Sequence, residues 1–463
     1  MALKVYNTLT GKKEEFLPLK PGAVNMYVCG ITPYDECHLG HARCYVAFDV
    51  VKRWLEHGGM KVRHVQNFTD IDDKIIERAA KKNVSPAELA GENIEKYFEV
   101  MDKLNVKRAD YYPRVTEHIK EIITAVGELV NNGFAYEADG SIYYEVDRFD
   151  GYGKLSGRRK EDLLAGARVE VNEKKKNPLD FALWKKAADN DVVSWDSPWG
   201  KGRPGWHIEC SVMSAKYSSE GRLDIHGGGM DLIFPHHENE VAQSEALTGR
   251  EFSKYWLHNG FVNINREKMS KSLGNAFSLS EVTAKYGYAA VRFFLLTQHY
   301  RSPLDFSDDK IIEAGKSMAN LMKVVNYDSR GGAPSAAKSA ALEEAYGEFL
   351  KLFNEAMNDD FNTAGAIGQV FKFIKTLEAR AGEGAAPAVA EKLKQLLEGV
   401  LGLDFRAEGV DVDKVRELIG LREIARKNGN WKESDALRAR LKELGVALED
   451  TPSGTLWKPI KNG

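Results

Sequence analysis

The stretch Val24–Cys29 alternates and then closes on apolar residues, the pattern of a strand buried in a sheet. Gly30 to Gly40 is a turn-rich connection. Val46, Val50, Trp54 and Leu55 then recur at helical spacing, which predicts a helix over His41–Glu56 stopped by Gly58 and Gly59. Met60–Phe68 reads as a second strand. Strand, loop, helix and strand in that order make a βαβ unit, hence a parallel sheet that takes ligands at the C-terminal ends of its strands. Cys29–His41 and Asn67–Asp70 fall at those ends.

From about Tyr111 to Trp199 the pattern changes to a helix over His118–Val130, a β-rich Ser141–Val146, and basic segments punctuated by Pro and Gly. This reads as an insertion into the sheet domain. The αβ alternation resumes at Gly205 and ends near Phe306. Beyond it, Ser307–Asn326, Ala341–Asp359 and Thr363–Ala379 have amphipathic helical spacing, with linkers at Gly331–Ser339 and Gly382–Ala388. Val412–Asn428 and Trp431–Leu444 predict two more helices. The chain has 463 residues, which at roughly 150 per domain means about three structural units.

Charge changes this picture little. With 65 Lys and Arg against 68 Asp and Glu, any nucleic-acid partner must be met by local basic faces. No stretch has the length of a membrane span, and Met1–Phe16 lacks the apolar core of a signal peptide. Four cysteines, Cys29, Cys37, Cys44 and Cys210, do not make a disulfide framework in so long a chain. They suit a reduced, cytoplasmic compartment, with thiols available to a metal or a substrate.

Three constellations carry candidate chemistry. His38-Leu39-Gly40-His41 lies where the first loop enters its helix, and a helix N-terminus offers free N–H groups and positive potential to phosphates. By itself it reads equally well as a helix cap. Lys268-Met269-Ser270-Lys271-Ser272 puts two ammonium groups in a Ser/Gly-rich loop, suited to charge building up on a transferring phosphorus. By itself it reads as a solvated loop. His236 and Glu240, four apart, share a helical face in a helix that opens near Pro235 and ends near Gly249. Cys29 and Cys210 could complete a tetrahedral zinc site with them. A surface His–Glu pair and two separate buried cysteines are the alternative.

The pairing of the histidine and lysine strings is the double signature of class I aminoacyl-tRNA synthetases. Further strings make the resemblance narrower: Tyr27-Val28-Cys29-Gly30-Ile31-Thr32-Pro33-Tyr34-Asp35, Asn67-Phe68-Thr69-Asp70-Ile71-Asp72-Asp73-Lys74 and Arg203-Pro204-Gly205-Trp206-His207-Ile208-Glu209-Cys210. With Phe234-Pro235-His236-His237-Glu238-Asn239-Glu240, Met357-Asn358-Asp359-Asp360-Phe361-Asn362-Thr363 and Leu448–Trp457, the chain resembles the cysteinyl-tRNA synthetases almost end to end. Leucine at 39 and Met230 are mild departures from that pattern.

The resemblance implies an α/β fold: a Rossmann-type parallel-sheet catalytic domain (1–306) with an insertion at about 111–199 and a KMSKS loop at 268–272. A helical bundle (307–402) and a small anticodon-binding module (404–463) follow. It implies one Zn2+ per chain held by Cys29, Cys210, His236 and Glu240, with Mg2+ accompanying ATP. It implies catalytic roles for His38, His41, Lys268 and Lys271, and an adenylate pocket of Gly30, Thr32, His38, Gly40, His41, Asn67, Thr69, Trp206, Gly229, Asp231, Val262 and Lys271. The activity implied is activation of L-cysteine with ATP and its transfer to cysteine tRNA by a monomer. The C-terminal helices are locally basic; Trp431 could stack on an unpaired base, and Arg426 and Asp435 could read base edges.

Zinc suits this substrate, because thiol and hydroxyl differ far more in softness than in shape. The nearest alternative is the cysteine ligase of mycothiol synthesis, which resembles the catalytic half but lacks a full anticodon-reading tail; residues 404–463 speak against it. A non-catalytic tRNA-binding paralogue should have lost signature residues, and His38, His41, Lys268 and Lys271 are all present.

Overall fold

The computed structural model describes residues 2–159, 175–188, 191–218, 220–264, 267–268, 277–325, 336–380, 387–406, 412–451 and 454–459. A short antiparallel pair, β1 (Lys4–Asn7) and β2 (Lys12–Glu15), precedes the central strand β3 (Ala23–Ile31). The crossover helix α1 (Leu39–His57) returns the chain to β4 (Lys61–Phe68), which pairs parallel with β3 from Ala23↔Lys61 onward. Helix α1 is longer than its apolar spacing predicts, because His38 caps it from the loop side. It is also buried nearly all round, from Leu39 to Leu55, so periodicity alone understates it.

Helices α2 (Asp73–Lys82) and α3 (Pro86–Lys103) follow, the latter opened by a Ser85/Glu88 capping box. The insertion contains α4 (Ile119–Asn131) and an antiparallel sheet of β5 (Ala135–Ala138), β6 (Ser141–Tyr144), β7 (Phe181–Lys186) and β8 (Gly202–Pro204), in that order. Helix α5 (Trp206–Tyr217) leads back to β9 (Leu223–Gly229), and α6 (Glu238–Thr248) leads to β10 (Ser253–Asn259). All four strands of the main sheet are parallel, ordered β10-β9-β3-β4. The chain therefore reverses its direction of sheet growth between β3 and β9, where open α/β sheets form their ligand crevice.

Strands β11 (Val262–Ile264) and β12 (Glu267–Lys268) form a hairpin, and β11 also pairs with β13 (Leu304–Phe306) beyond helices α7 (Leu279–Tyr286) and α8 (Tyr288–Leu296). The helical part comprises α9 (Asp308–Val325), α10 (Ala336–Asn358), α11 (Thr363–Arg380) and α12 (Pro387–Leu396). Both Ala/Gly/Pro linkers are invaded by helix, from Ala336 and from Pro387, since alanine is a strong helix former and proline is tolerated at a first helical position. Helix α12, which the spacing did not announce, continues through a π-type turn at Leu397–Leu401.

The C-terminal segment pairs α13 (Val412–Lys427) with α14 (Trp431–Glu443), and a hairpin of β14 (Val446–Thr451) and β15 (Gly454–Pro459) covers them. Its small core includes Val415, Ile419, Leu441 and Trp457. Arg422 makes a two-pronged ion pair with Asp450, 2.7 Å on each prong, which together with Arg426 holds that carboxyl down to about 2.

A buried charge cluster fastens the sheet half to the helices. Arg292 on α8 donates to Asp49 on α1, to Leu401 O and to Leu104 O. Arg53 donates to Asp49 at 2.8 Å and reaches the carbonyls of Glu398 and Asn105. Burial alone would push the Asp49 carboxyl up, but the two guanidiniums more than offset it and hold it below the usual carboxylate range.

Candidate active site and metal centre

The candidate site lies over the C-terminal ends of β3, β4 and β9. At the end of β3, Gly30 donates its N–H to Asn67 Oδ1 at 2.8 Å. A Cβ at Gly30 would sit 1.5 Å from Asn67 O, so only glycine lets these two strand ends close. Asn67 Nδ2 lies 3.4 Å from Thr69 Oγ1, and Thr69 donates in turn to Glu209 Oε2 at 3.3 Å. Gly229 ends β9 with Asp231 in the turn just beyond, and Val262 is buried at the start of β11. Trp206 is half exposed at the first turn of α5, stacked on His236 with ring centroids 4.2 Å apart.

The histidine string forms a reciprocal cap. His38 Nδ1 accepts from the N–H groups of Gly40 and His41, and His41 Nδ1 accepts from the His38 N–H at 3.2 Å. The two rings stack at 3.8 Å. The helix-cap reading and the phosphate reading are thus compatible: capping engages the Nδ1 atoms, which places the ring protons on Nε2.

The lysine string begins in β12, where the backbone of Lys268 pairs with Asn263. Lys271 and the rest of that string lie outside the described residues. The chain resumes at Phe277 and docks on the histidine turn, with a His38↔Ser278 bridge and Leu279 N donating to Cys37 O at 2.8 Å. Ser280 Oγ adds a bond to Glu36 at 2.9 Å. Ser278–Ser280 is thus held against the histidine turn.

The four expected metal ligands converge: one donor atom from each of Cys29, Cys210, His236 and Glu240 lies within 4.8 Å of every other, and all four residues are buried. They come from β3, α5, the π-type turn Ile233–His237 and α6. His236 Nε2 is 3.0 Å from Glu240 Oε1, and the two sulfurs are 3.8 Å apart. The helix read as opening at Pro235 in fact begins at Glu238, because Phe234 has non-helical dihedrals that break the turn before it. Gly249, left-handed at φ 64, ends it.

The donor chemistry suits a cation. Hydrogen bonding from Cys29 lowers the Cys210 thiol to about 7 against its burial, with further help from His236, whereas burial pushes the Cys29 thiol up. Burial also drives the Glu240 carboxyl well up, and its Oε2 has no hydrogen-bond partner although His226 Nε2 lies 3.4 Å away. Two thiols, an imidazole and a buried carboxylate with an orphaned oxygen form a pocket that could hold a metal ion.

A second donor set, Cys29, His226, His237 and Glu240, overlaps the first. His237 Nε2 is 3.3 Å from Cys29 Sγ, and its Nδ1 meets His258 Nε2 at 2.8 Å. His207 Nδ1 holds His236 Nδ1 at 2.9 Å. Burial lowers the pKa of His207, His226 and His237 well below the ordinary range, leaving neutral imidazoles. Sequence reasoning gave these three histidines and Glu209 no role of their own. The available signal was a histidine in the middle of a buried strand, as in Asp224-Ile225-His226, and a second histidine beside His236.

The nucleic-acid candidates are further apart. Trp431 is 62% exposed at the start of α14, with Asp435 exposed one turn along the same face. Arg426 instead makes an ion pair with Asp450 at 2.9 Å, so its guanidinium is partly engaged within the segment.

Comparison with known proteins agrees over the whole chain. A family model described as "tRNA synthetases class I (C) catalytic domain" matches residues 15–316, a "DALR domain" 352–406, and a "Cysteinyl-tRNA ligase anticodon binding domain" 413–457. The cysteine–tRNA ligase of Carboxydothermus hydrogenoformans is 51% identical over 99% of this chain and 100% of that protein. That of Thermococcus onnurineus is 50% identical, with the same coverage of each. A methionyl-tRNA synthetase of Mycobacterium tuberculosis, solved with methionyl-adenylate, shares the fold at a TM-score of 0.60 and 18% identity, covering 82% of this chain and 92% of that one. With the site's geometry and these matches together, the chain belongs to the cysteine–tRNA ligases of the class I aminoacyl-tRNA synthetases.

Proposed function

We propose that the buried thiol–imidazole–carboxylate cluster is a zinc site that selects cysteine, and that the surrounding strand ends form the adenylate pocket. The convergence of Cys29, Cys210, His236 and Glu240 is the observation that carries this reading. Of the two overlapping donor sets, this one holds both thiols, the combination that favours zinc over harder cations. Bound there, zinc would supply a borderline-soft Lewis acid that takes a thiolate far better than a hydroxyl. His207 orients His236 through their facing Nδ1 atoms, and Trp206 covers the same imidazole.

ATP would lie across the glycine-lined ends of β3 and β9, with Gly30, Thr32, Asn67, Thr69, Gly229, Asp231 and Val262 around the adenylate and Mg2+ on the phosphates. His38 and His41 would donate from Nε2, and Lys268 and Lys271 would close on the phosphates. The cysteine carboxylate attacks the α-phosphorus and pyrophosphate leaves. A hydroxyl of the tRNA's terminal adenosine then attacks the adenylate carbonyl and releases AMP.

Residues 1–306 would perform this chemistry, 307–402 would brace it, and 404–463 would read the tRNA through Trp431 and Asp435, with Arg426 joining if it leaves Asp450. Four free cysteines suit a reduced, cytoplasmic compartment. No helix among the described residues is long and apolar enough to cross a membrane.

Replacing the metal by cobalt tests the selection mechanism. Cysteine should change the visible ligand-to-metal absorption, while serine leaves it nearly unaltered; no change with cysteine, in protein that still catalyses ATP–pyrophosphate exchange, makes the metal purely structural. A chain ending at Gly402 tests the division of labour. It should retain cysteinyl-adenylate formation within about threefold and lose tRNA charging by ten- to a hundredfold, on the scale of losing a stacked base and several phosphate contacts. Undiminished charging would assign residues 404–463 another role.

A further inference from the structure

Glu209 is a carboxylate that the chemistry described so far does not use. It is 3% exposed, in the first turn of α5 between Trp206 and Cys210. Its only hydrogen bond among the described residues comes from Thr69 Oγ1, and it forms no ion pair among them. The groups that act on it electrostatically are acidic: Cys210, Asp72 and Asp70. Together with Trp206 and Asp72 it lines a narrow cavity beside the metal cluster.

The two cations on that cavity wall are paired with another carboxylate, while Arg203 Nε is left without a hydrogen-bond partner. Lys185 and Arg203 both pair with Asp73, at 2.8 and 2.6 Å. Asp70 is also satisfied, accepting from the N–H and the hydroxyl of Thr116. A buried carboxylate without a cation is costly. What is missing here is a positive charge.

The substrate would bring one. In cysteine, ammonium and sulfur sit on neighbouring carbons, so a sulfur directed at Cys29 and Cys210 puts the ammonium within a residue's breadth of them. Glu209 directly precedes Cys210, and Thr69 follows the last residue of the strand beside the one that carries Cys29. We propose that Glu209, held by Thr69, is the seat of the substrate's α-ammonium group. This rests on the reading of the cluster as the thiol-binding site. Selection would then have two poles, a soft cation for sulfur and a buried carboxylate for nitrogen. Thiols lacking the amine would be refused even where the metal accepts them.

The test compares cysteine with 3-mercaptopropionate, which keeps thiol and carboxylate but lacks the amine. Binding of each to the metal-loaded full chain is measured by calorimetry for wild type and Glu209→Gln, with metal content and unfolding midpoint taken on the same samples. Wild type should prefer cysteine. E209Q should weaken cysteine about 10- to 100-fold, the scale of a lost charge-assisted hydrogen bond, and leave 3-mercaptopropionate within about threefold. Equal loss for both ligands, or no loss for either, overturns the proposal. Should E209Q fail to hold metal, Thr69→Val carries the same comparison, since it removes the hydroxyl that holds Glu209. An unchanged preference in either metal-loaded variant, with cysteine activation intact in wild type, rejects the ammonium seat and leaves the thiol site standing.

Discussion

Cys210→Ser is expected to lose most of the bound metal and to lower cysteine-dependent ATP–pyrophosphate exchange by more than about a hundredfold. The estimate is a lower bound, because removing a partner one layer outside a metal's ligands already reduces affinity or activity about 10- to 100-fold. Serine preserves the volume of the side chain but not the softness of the donor, and the position is 1% exposed, so solvent cannot substitute for the lost ligand. Cys44→Ser supplies the control. Cys44 is also a buried cysteine on an element bordering the site, but it belongs to neither donor set. It should keep its metal. Elemental analysis of both purified proteins decides the matter: full metal in Cys210→Ser removes that residue from the site, and loss in Cys44→Ser would mean that any buried cysteine change disturbs the fold.

Arg292→Ala should destabilise the chain by about 3–5 kcal/mol, the usual range when one partner of a buried ion pair is removed. Truncation strands Asp49, whose remaining cationic partner is Arg53, and leaves Leu401 O and Leu104 O without the guanidinium that now serves them. The fit is tight as well as polar. Gly402 is left-handed at φ 61, and a Cβ there would meet the Arg292 guanidinium at 2.3 Å. Gly402→Ala should therefore be destabilising by the same route. Urea unfolding followed by fluorescence and by proteolysis provides the measurement, with two probes because a chain with several cores need not unfold in one step. An unfolding free energy for Arg292→Ala within about 0.5 kcal/mol of wild type would mean that the cluster contributes no more than an ordinary surface pair.

The sequence by itself determined what depends on near neighbours along the chain. Apolar spacing located β3, α1 and β4, and with them the parallel sheet and the end of it that binds ligands. The amphipathic helices from residue 307 onward were legible for the same reason. The signature strings were legible because each packs its chemistry into a few consecutive residues, as His38–His41 does at the start of one helix. Elements whose local signal was ambiguous were missed: Pro387–Leu396 lay inside an alanine- and proline-rich stretch, and the terminal hairpin had no periodicity long enough to read.

Only the tertiary structure decided which distant groups meet. Cys29 and Cys210 are 181 positions apart and touch because β3 and α5 flank one crevice. Tertiary packing likewise brought His226 and His237 against Cys29, captured Arg426 on Asp450 in the C-terminal segment, and enclosed Glu209 without a cation. Periodicity reports which face of an element is buried. It carries no information about what that face is buried against, and a charge or a ligand takes its meaning from that neighbour.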